Sequence, residues 1–165
     1  MKANPSRSQS GSDRLYRLAY DEAVRALSEQ RMIIDSMRTR VGLLLSVSAI
    51  ATSFLGAQAL EEGRPSLPAW TALVAFAGVG VFSLAILWPR RWEFSASPRY
   101  LIRNWAEAES PPPIEDVHRD LSLHMHSSYL ENRTGIDRLA ALFQIASALL
   151  TVEVILWITA IAWTG

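Results

Sequence analysis

The chain has 165 residues, half of them hydrophobic, and its formal net charge at pH 7 is zero. It contains no cysteine, which excludes disulfide bonds, thiol catalysis and cysteine-based zinc sites. The length suits one domain, but the hydrophobic residues are concentrated in three runs that contain no lysine or arginine, at 41–60, 67–88 and 139–163.

Each of these three runs is long enough to cross a membrane. A helix of about 20 residues spans a hydrocarbon core of ~30 Å. Backbone polar groups in lipid must be satisfied within their own segment, so each run is predicted to be helical. The predicted fold is therefore an all-α membrane protein with three transmembrane helices, at 41–60, 67–88 and 139–163, and a cytoplasmic helical bundle.

The N-terminal part divides into a tail and a long polar helix. Residues 1–12 have few apolar side chains and are predicted to be a disordered tail. Ser12 or Asp13 can cap a cytoplasmic helix over 13–40, which contains no proline or glycine and is expected to continue into the first membrane helix. An apolar stripe on this helix favours its burial in a bundle, and it consists of Tyr20, Val24, Leu27 and Ile34.

Residues 89–138 form the second cytoplasmic segment. Ser97 followed by Pro98 is typical of a helix start, and the prolines at 111–113 indicate an extended joint. From about Ile114 the pattern predicts a helix that continues into the third membrane helix, with a bend expected at Gly135.

The basic residues next to the membrane helices predict the orientation. These residues are Arg38, Arg40, Arg90, Arg91 and Arg138. Because positive charges favour the cytoplasmic side, the N-terminus and residues 89–138 are predicted to be cytoplasmic. The 61–67 loop and the C-terminus are then outside.

Small residues form one face of the first membrane helix. They are Gly42, Ser46, Ala49, Ser53, Gly56 and Ala57. Such a face allows close packing between helices, and in a ring of copies it could also line a narrow pore. On the third helix Gln144, Ser147 and Thr151 form a polar stripe that should face protein or water. Pore lining and helix packing both remain open for these residues.

Glu153 is an ionisable residue within the third membrane helix, roughly opposite the Gln144 stripe. An acidic residue at this depth is by default a candidate functional site, and a ring of such residues would favour cations. The alternatives are a protonated carboxyl hydrogen-bonded to a neighbouring helix and a carboxylate near the outer headgroups. An intramembrane salt bridge is excluded, because the three runs contain no basic residue.

Arginine and aromatic residues alternate in the cytoplasmic segment. Guanidinium groups bind phosphate and aromatic rings stack on bases, as nucleotide or single-stranded nucleic acid ligands require. The candidate ligand-binding residues are Arg99, Tyr100, Arg103, Trp105, Arg119, Tyr129 and Arg133. Acidic residues are interspersed among them, so ordinary solvated ion pairs are the alternative interpretation.

No motif for catalysis or metal binding is present. The sequence contains no G-x-S-x-G, no Walker loop and no H-E-x-x-H. The histidines His118, His124 and His126 do not share a helix face in the way a metal site needs. We therefore expect no enzymatic activity, no catalytic residues, no metal and no cofactor.

The arrangement resembles a group of small bacterial defence effectors. The similarity covers residues 13–163, including QRMIIDSMRTRVGLLLSVSAIATSFLG at the first membrane helix and ILWPRRWEFSASPRYLI after the second. The similarity is to the SLATT and Pycsar-type membrane effectors and, in overall plan, to Hailong-type effectors. The resemblance implies an oligomer in the bacterial inner membrane that disrupts this membrane during phage infection when a nucleotide-derived signal changes.

For Hailong-type effectors that signal is linked to short single-stranded DNA, which implies a partner nucleotidyltransferase. No position in this chain matches a ligand-contact motif of these families. We predict a homo-oligomer, with a tetramer as the expected form, that makes a gated ion-conducting pore. A nucleotide or single-stranded oligonucleotide bound to the cytoplasmic helices would control it. The alternative is a membrane-anchored scaffold or sensor that recruits a protein partner without conducting ions.

Overall fold

A computed structural model describes residues 5–60, 66–89, 92, 102, 105, 107 and 109–164, with side chains from Asp13 onward except those of Leu60 and Thr164. Within these ranges it contains three α-helices and no β-strand: α1 (Pro5–Leu60), α2 (Leu67–Leu87) and α3 (Ile114–Thr164). All three are long and apolar enough to cross a membrane. This confirms the all-helical class and the three predicted apolar helices.

Helix α1 begins earlier than the sequence predicted. It starts at Pro5 and therefore includes residues 5–12, for which a disordered tail was expected. A proline is well tolerated in the first turn of a helix, where its missing N–H would have no helical partner. As predicted, α1 continues without a break from the polar segment through 41–60.

Helix α2 is bounded by residues that fit their positions. Ser66 precedes it in an extended conformation, and Pro68 lies in its first turn. At the other end Trp88 leaves the helical conformation, because Pro89 disfavours an α conformation in the residue before it. The Trp88 N–H still donates a hydrogen bond to the Leu84 carbonyl, at 2.9 Å.

The connection before α3 is described only in part. The short helix predicted from Ser97 lies almost entirely outside the described residues. Within it, the Glu107 N–H donates to the Ile102 carbonyl at 2.9 Å, a π-type turn. Helix α3 begins at Ile114 as predicted and passes through Gly135 without interruption. A Cβ atom at Gly135 would lie 2.7 Å from the Trp92 ring, so this glycine leaves room for the ring.

The chain separates into two compact units, and α1 and α3 contribute residues to both. The polar unit contains residues 1–33 and 91–135. The apolar unit contains residues 34–90 and 136–165.

The apolar unit is a three-helix arrangement with a core of small residues. One cluster joins the end of α1 at Ala59 with the start of α2 at Ala69 and Ala72. It also includes Trp157 and Ala160 near the end of α3. A second cluster joins Leu44, Val79 and Ala146. Helix α2 is therefore antiparallel to α1 and α3, and the small side chains let the backbones approach closely.

In the polar unit α1 and α3 also run parallel. The Gln30 Nε2 group donates to the Tyr129 carbonyl at 2.9 Å, and the Tyr20 and His118 rings lie 5.4 Å apart. Of the stripe predicted on α1, Leu27 is buried and Tyr20 is half-buried, but Val24 is exposed. Val24 was wrongly included because the contact with α3 is centred on the Leu27 and Gln30 side of the stripe.

Candidate functional site

A buried carboxyl forms the centre of a hydrogen-bond cluster between α1 and α3. The Glu153 side chain is 0% exposed, and both of its oxygens accept hydrogen bonds from α1. The Ser48 hydroxyl donates to Oε2 at 2.5 Å, and the Thr52 hydroxyl donates to Oε1 at 2.6 Å. The Trp157 indole N–H in turn donates to the Thr52 hydroxyl at 3.3 Å. Within the described residues, the hydrogen bonds to the carboxyl therefore come from side chains of one neighbouring helix.

Helical spacing brings these groups together. Ser48 and Thr52 are four residues apart on α1, as are Glu153 and Trp157 on α3, so each pair lies on one helix face. Gly56, one further turn along α1, leaves room for the Trp157 ring, since a Cβ atom there would lie 3.2 Å from it. The two parallel helices thus meet along a seam with polar groups at one end and an aromatic ring at the other.

Ser48 and Thr52 differ from the other hydroxyl residues of the apolar unit. Among the hydroxyls described as donating there, all others bond to a backbone carbonyl of their own helix. Examples are Ser46 to the Gly42 carbonyl at 3.0 Å and Ser53 to the Ala49 carbonyl at 2.8 Å. Ser147 and Thr151 on α3 do the same. Only Ser48 and Thr52, among these described donors, reach across to another helix.

Glu153 is also the one charged residue in the three apolar runs 41–60, 67–88 and 139–163. No lysine or arginine side chain can therefore neutralise it from within these runs. Of the three interpretations left open for Glu153, the described contacts match a carboxyl hydrogen-bonded to a neighbouring helix.

The predicted pore or packing residues lie mainly on the outside of the apolar unit. Ser46, Ser53, Gln144 and Thr151 are exposed, and Ser147 is half-buried. Most of the small face of α1 is exposed with them, apart from Gly56. In contrast, α2 turns large apolar side chains outward, including Trp70, Val74, Val81 and Leu84. Within one chain, neither the small face of α1 nor the Gln144 stripe of α3 lines an internal passage.

The structure describes four of the seven predicted ligand-binding residues. Arg99, Tyr100 and Arg103 lie outside the described residues. Arg119 and Arg133 are exposed on α3, while Trp105 and Tyr129 are half-buried. A rise of 1.5 Å per residue separates Arg119 from Arg133 by roughly 21 Å along α3. A ligand that touches both must therefore be extended along the helix.

Two open cavities lie between α1 and α3 in the polar unit. One has a volume of about 370 Å³ and includes Tyr129 beside Ala23, Ala26 and Met125. The other, of about 490 Å³, is lined by Arg14, Arg17, Tyr20 and His118 together with three carboxylates, Asp13, Asp21 and Glu115. Within the described residues, no group of three histidine or acidic side chains is arranged to hold a metal ion.

Sequence reasoning identified Glu153 but missed its partners Ser48, Thr52 and Trp157. Ser48 and Thr52 are two hydroxyls one turn apart on an apolar helix, but Ser46 and Ser53 lie on the same helix, so this spacing alone does not identify the partners of Glu153. It also missed Arg14 and Arg17, which line the larger cavity. Their spacing of three residues, with Tyr20 three residues further on, would have identified that surface.

No protein-family profile, curated protein or solved structure significantly matches this chain. The resemblance to small bacterial defence effectors therefore stays a prediction.

Proposed function

We propose that this chain is a multi-pass membrane protein whose copies assemble into a gated ion-conducting pore. The observation that carries the proposal is the exposure of Gln144, Thr151, Ser46 and Ser53 on the outer surface of the apolar unit. A glutamine side chain facing hydrocarbon is unfavourable, because lipid offers it no hydrogen-bond partner. Water or another copy of the chain would remove this cost.

While the apolar unit is packed as described, the pore would run between copies and not through one chain. The interior of the apolar unit is occupied by fully buried side chains, including Glu153, Trp157, Ser48 and Val79. A ring of copies that turns the small face of α1 and the Gln144 stripe of α3 inward would create a centre that water can enter. The large apolar side chains on α2 would then face lipid. A tetramer is the expected assembly.

A nucleotide or short single-stranded DNA bound to the polar unit would control this pore. Arg119 and Arg133 offer exposed guanidinium groups for phosphates, and the half-buried Tyr129 offers a ring for a base. Because α1 and α3 contribute residues to both units, a ligand that binds two states unequally could bias the pore. The resemblance to bacterial effectors supports an antiphage role at the inner membrane.

Single-cysteine variants can test the pore directly, because the natural chain has no cysteine. Purified protein in planar bilayers should conduct ions. A charged thiol reagent should alter the current of Ser46→Cys, Ser53→Cys, Gln144→Cys and Thr151→Cys, since a thiol ionises and reacts only where water reaches it. Val74→Cys and Leu84→Cys on α2 are the controls and should not respond. No current from any variant, or equal responses at all six positions, would overturn the proposal.

Removing positive charges from α3 tests whether the polar unit binds an oligonucleotide. Arg119→Ala combined with Arg133→Ala should weaken binding of a short single-stranded oligonucleotide and reduce its salt dependence. Each lost phosphate contact should lower the slope of log affinity against log salt by ~0.7. Arg25→Ala is the control, because Arg25 already pairs with Glu29 at 3.2 Å. Unchanged binding in the double variant, or an equal loss in the control, would remove these arginines from the site.

A scaffold that recruits a protein partner is the second candidate. It is favoured by large apolar side chains that are exposed in the polar unit, namely Leu15, Leu18, Leu123 and Leu130. This function requires no conduction. An assembled protein that gives no ion flux with or without oligonucleotide, yet retains a protein through Leu15 and Leu18, would identify the scaffold.

A further inference from the structure

The geometry points to Glu153, Ser48 and Thr52 as a latch that holds α1 against α3 while the pore is closed. When α1 is released, the Glu153 carboxyl faces water and selects cations. This inference rests on the proposed pore and adds two features to it, the seam that opens and the class of ion that passes.

The two latch bonds form at only one position of α1 along α3. Both oxygens of Glu153 depend on this helix, through bonds of 2.5 Å and 2.6 Å. Hydroxyl hydrogen bonds extend to only about 3.0 Å, and one helical turn is about 5.4 Å along the axis. Displacing α1 along α3 by one turn would therefore break both bonds together. The seam would then have an engaged state and a released state.

Release affects the two helices unequally. The hydroxyls of α1 have an alternative acceptor in their own backbone, because Ser46 and Ser53 already use the carbonyl four residues earlier. Glu153 has no such alternative. As a carboxylate, Glu153 can only accept hydrogen bonds, and the three apolar runs supply no lysine or arginine. After release, water is the partner that remains for the carboxyl.

Water at Glu153 turns a closed seam into part of a conduit. In an assembly, each copy would present one carboxylate to this water-filled space. Rings of acidic side chains attract cations and exclude anions, which is the usual basis of charge selection in channels. Glu153 would thus stabilise the closed seam in one state and select cations in the other.

A matched pair of serine variants tests the latch without any measurement of current. Ser48→Ala removes one latch bond, while Ser46→Ala makes the same change two residues earlier on an exposed surface. In lipid vesicles, a water-soluble carbodiimide with an amine converts exposed carboxyls to amides, which mass spectrometry detects. Amidation of Glu153 should be roughly tenfold faster in Ser48→Ala than in the natural chain, as expected for loss of one charge-assisted bond.

Ser46→Ala should leave the amidation rate at Glu153 unchanged. Equal rates in both variants and in the natural chain would overturn the latch, and so would equal acceleration by the two changes. Ser48→Thr retains a hydroxyl and should restore slow labelling, which separates loss of the bond from general loosening of the fold. Because labelling requires no conduction, the latch can fail while the pore survives, and the reverse also holds.

Glu153→Gln tests the selectivity. An amide can accept one of the two latch bonds and offers a donor in place of the second acceptor, so the seam is retained while the charge is lost. In a salt gradient, the reversal potential of this variant should move toward zero, whereas Ser48→Ala should keep the cation preference of the natural chain. An unchanged reversal potential in Glu153→Gln would remove Glu153 from the conducting path.

Discussion

Gly56 on α1 lies against the indole ring of Trp157 on α3. A Cβ atom at this glycine would approach three ring atoms at 3.2, 3.4 and 3.7 Å. The same ring donates its N–H to Thr52, which bonds to Glu153, so displacement of Trp157 would also disturb the carboxyl cluster. The seam between the two helices therefore depends on the absence of a side chain at this position.

Gly56→Leu should destabilise the protein by ~1–3 kcal/mol, because a larger side chain must displace the buried ring or separate the helices. Gly42→Leu is the matched control on the same helix, since a Cβ atom at Gly42 meets nothing within 4 Å. It should be neutral or slightly stabilising. Denaturant unfolding in detergent micelles measures the difference, and equal effects of the two substitutions would contradict the packing at Trp157.

For single residues, the sequence predicted the importance of Glu153 but not the identity of its partners. An ionisable residue among apolar ones is conspicuous in any membrane helix. Helix α1, however, carries hydroxyls on several faces, at Ser46, Ser48, Thr52 and Ser53. Lipid is as apolar as a helix interior, so side-chain hydrophobicity does not reveal which face meets α3. Only the packed structure distinguishes Ser48 from Ser46.

In its first half, helix α2 separates its two faces by side-chain size. Ala69, Ala72 and Ala75 are buried against the other helices, while Trp70 and Val74 are exposed. Small residues on the inner face let the three backbones approach closely, and large residues outside suit lipid. A pattern of hydrophobicity alone cannot show this division, since both faces are apolar.

Ala72→Leu should destabilise the apolar unit, by ~1–3 kcal/mol or more, because Ala72 is fully buried at 0% exposure and has no space for a larger side chain. Val74→Leu adds one methylene on the same helix at a position that is 71% exposed, and it should be neutral. Thermal unfolding in detergent compares the two. If Val74→Leu proved as harmful as Ala72→Leu, the assignment of the inner and outer faces of α2 would be wrong.

The three apolar helices could be predicted because length and apolarity leave membrane-spanning segments few alternatives. The start of α1 could not. Residues 5–12 are polar and include Gly11, so neither helix propensity nor an apolar stripe indicates that the helix extends to Pro5. The predicted apolar stripe also included Val24, which is exposed because it lies at the edge of the face that α3 covers.

Gln30 is a buried polar contact between α1 and α3 in the polar unit. Its Nε2 group donates to the Tyr129 carbonyl, but its Oε1 atom has no hydrogen-bond partner among the described residues. An unsatisfied buried acceptor costs about 1–3 kcal/mol, and the Tyr129 carbonyl lies within a helix that already bonds its backbone. Gln30→Leu should therefore leave stability unchanged or raise it.

Gln30→Ala is the control, since it removes the same amide but leaves a cavity, and it should destabilise the protein by roughly 1–2 kcal/mol. Denaturant midpoints of the two variants and the natural chain decide the outcome. A clear loss of stability in Gln30→Leu would mean that the amide is more valuable than its contacts indicate.

Within α1 and α3, charged side chains are concentrated in the N-terminal part of each helix. Helix α1 carries charged side chains up to Arg40 and none over 41–60, and α3 carries them up to Arg138, with Glu153 alone beyond it. This division agrees with helices that leave a polar environment and enter an apolar one.

Orientation is the property on which the ligand proposal depends most directly, because nucleotides and short DNA fragments are found in the cytoplasm. Basic residues flanking the apolar runs predict that residues 89–138 face the cytoplasm and that the 61–67 loop faces outward.

In intact spheroplasts, a membrane-impermeant maleimide should label Gly63→Cys. Ser110→Cys should be labelled only after the membrane is made permeable. The natural chain has no cysteine and serves as the blank. The reverse pattern would place Arg119 and Arg133 outside the cell, which would rule out control by a cytoplasmic nucleotide but would leave the buried carboxyl seam unaffected.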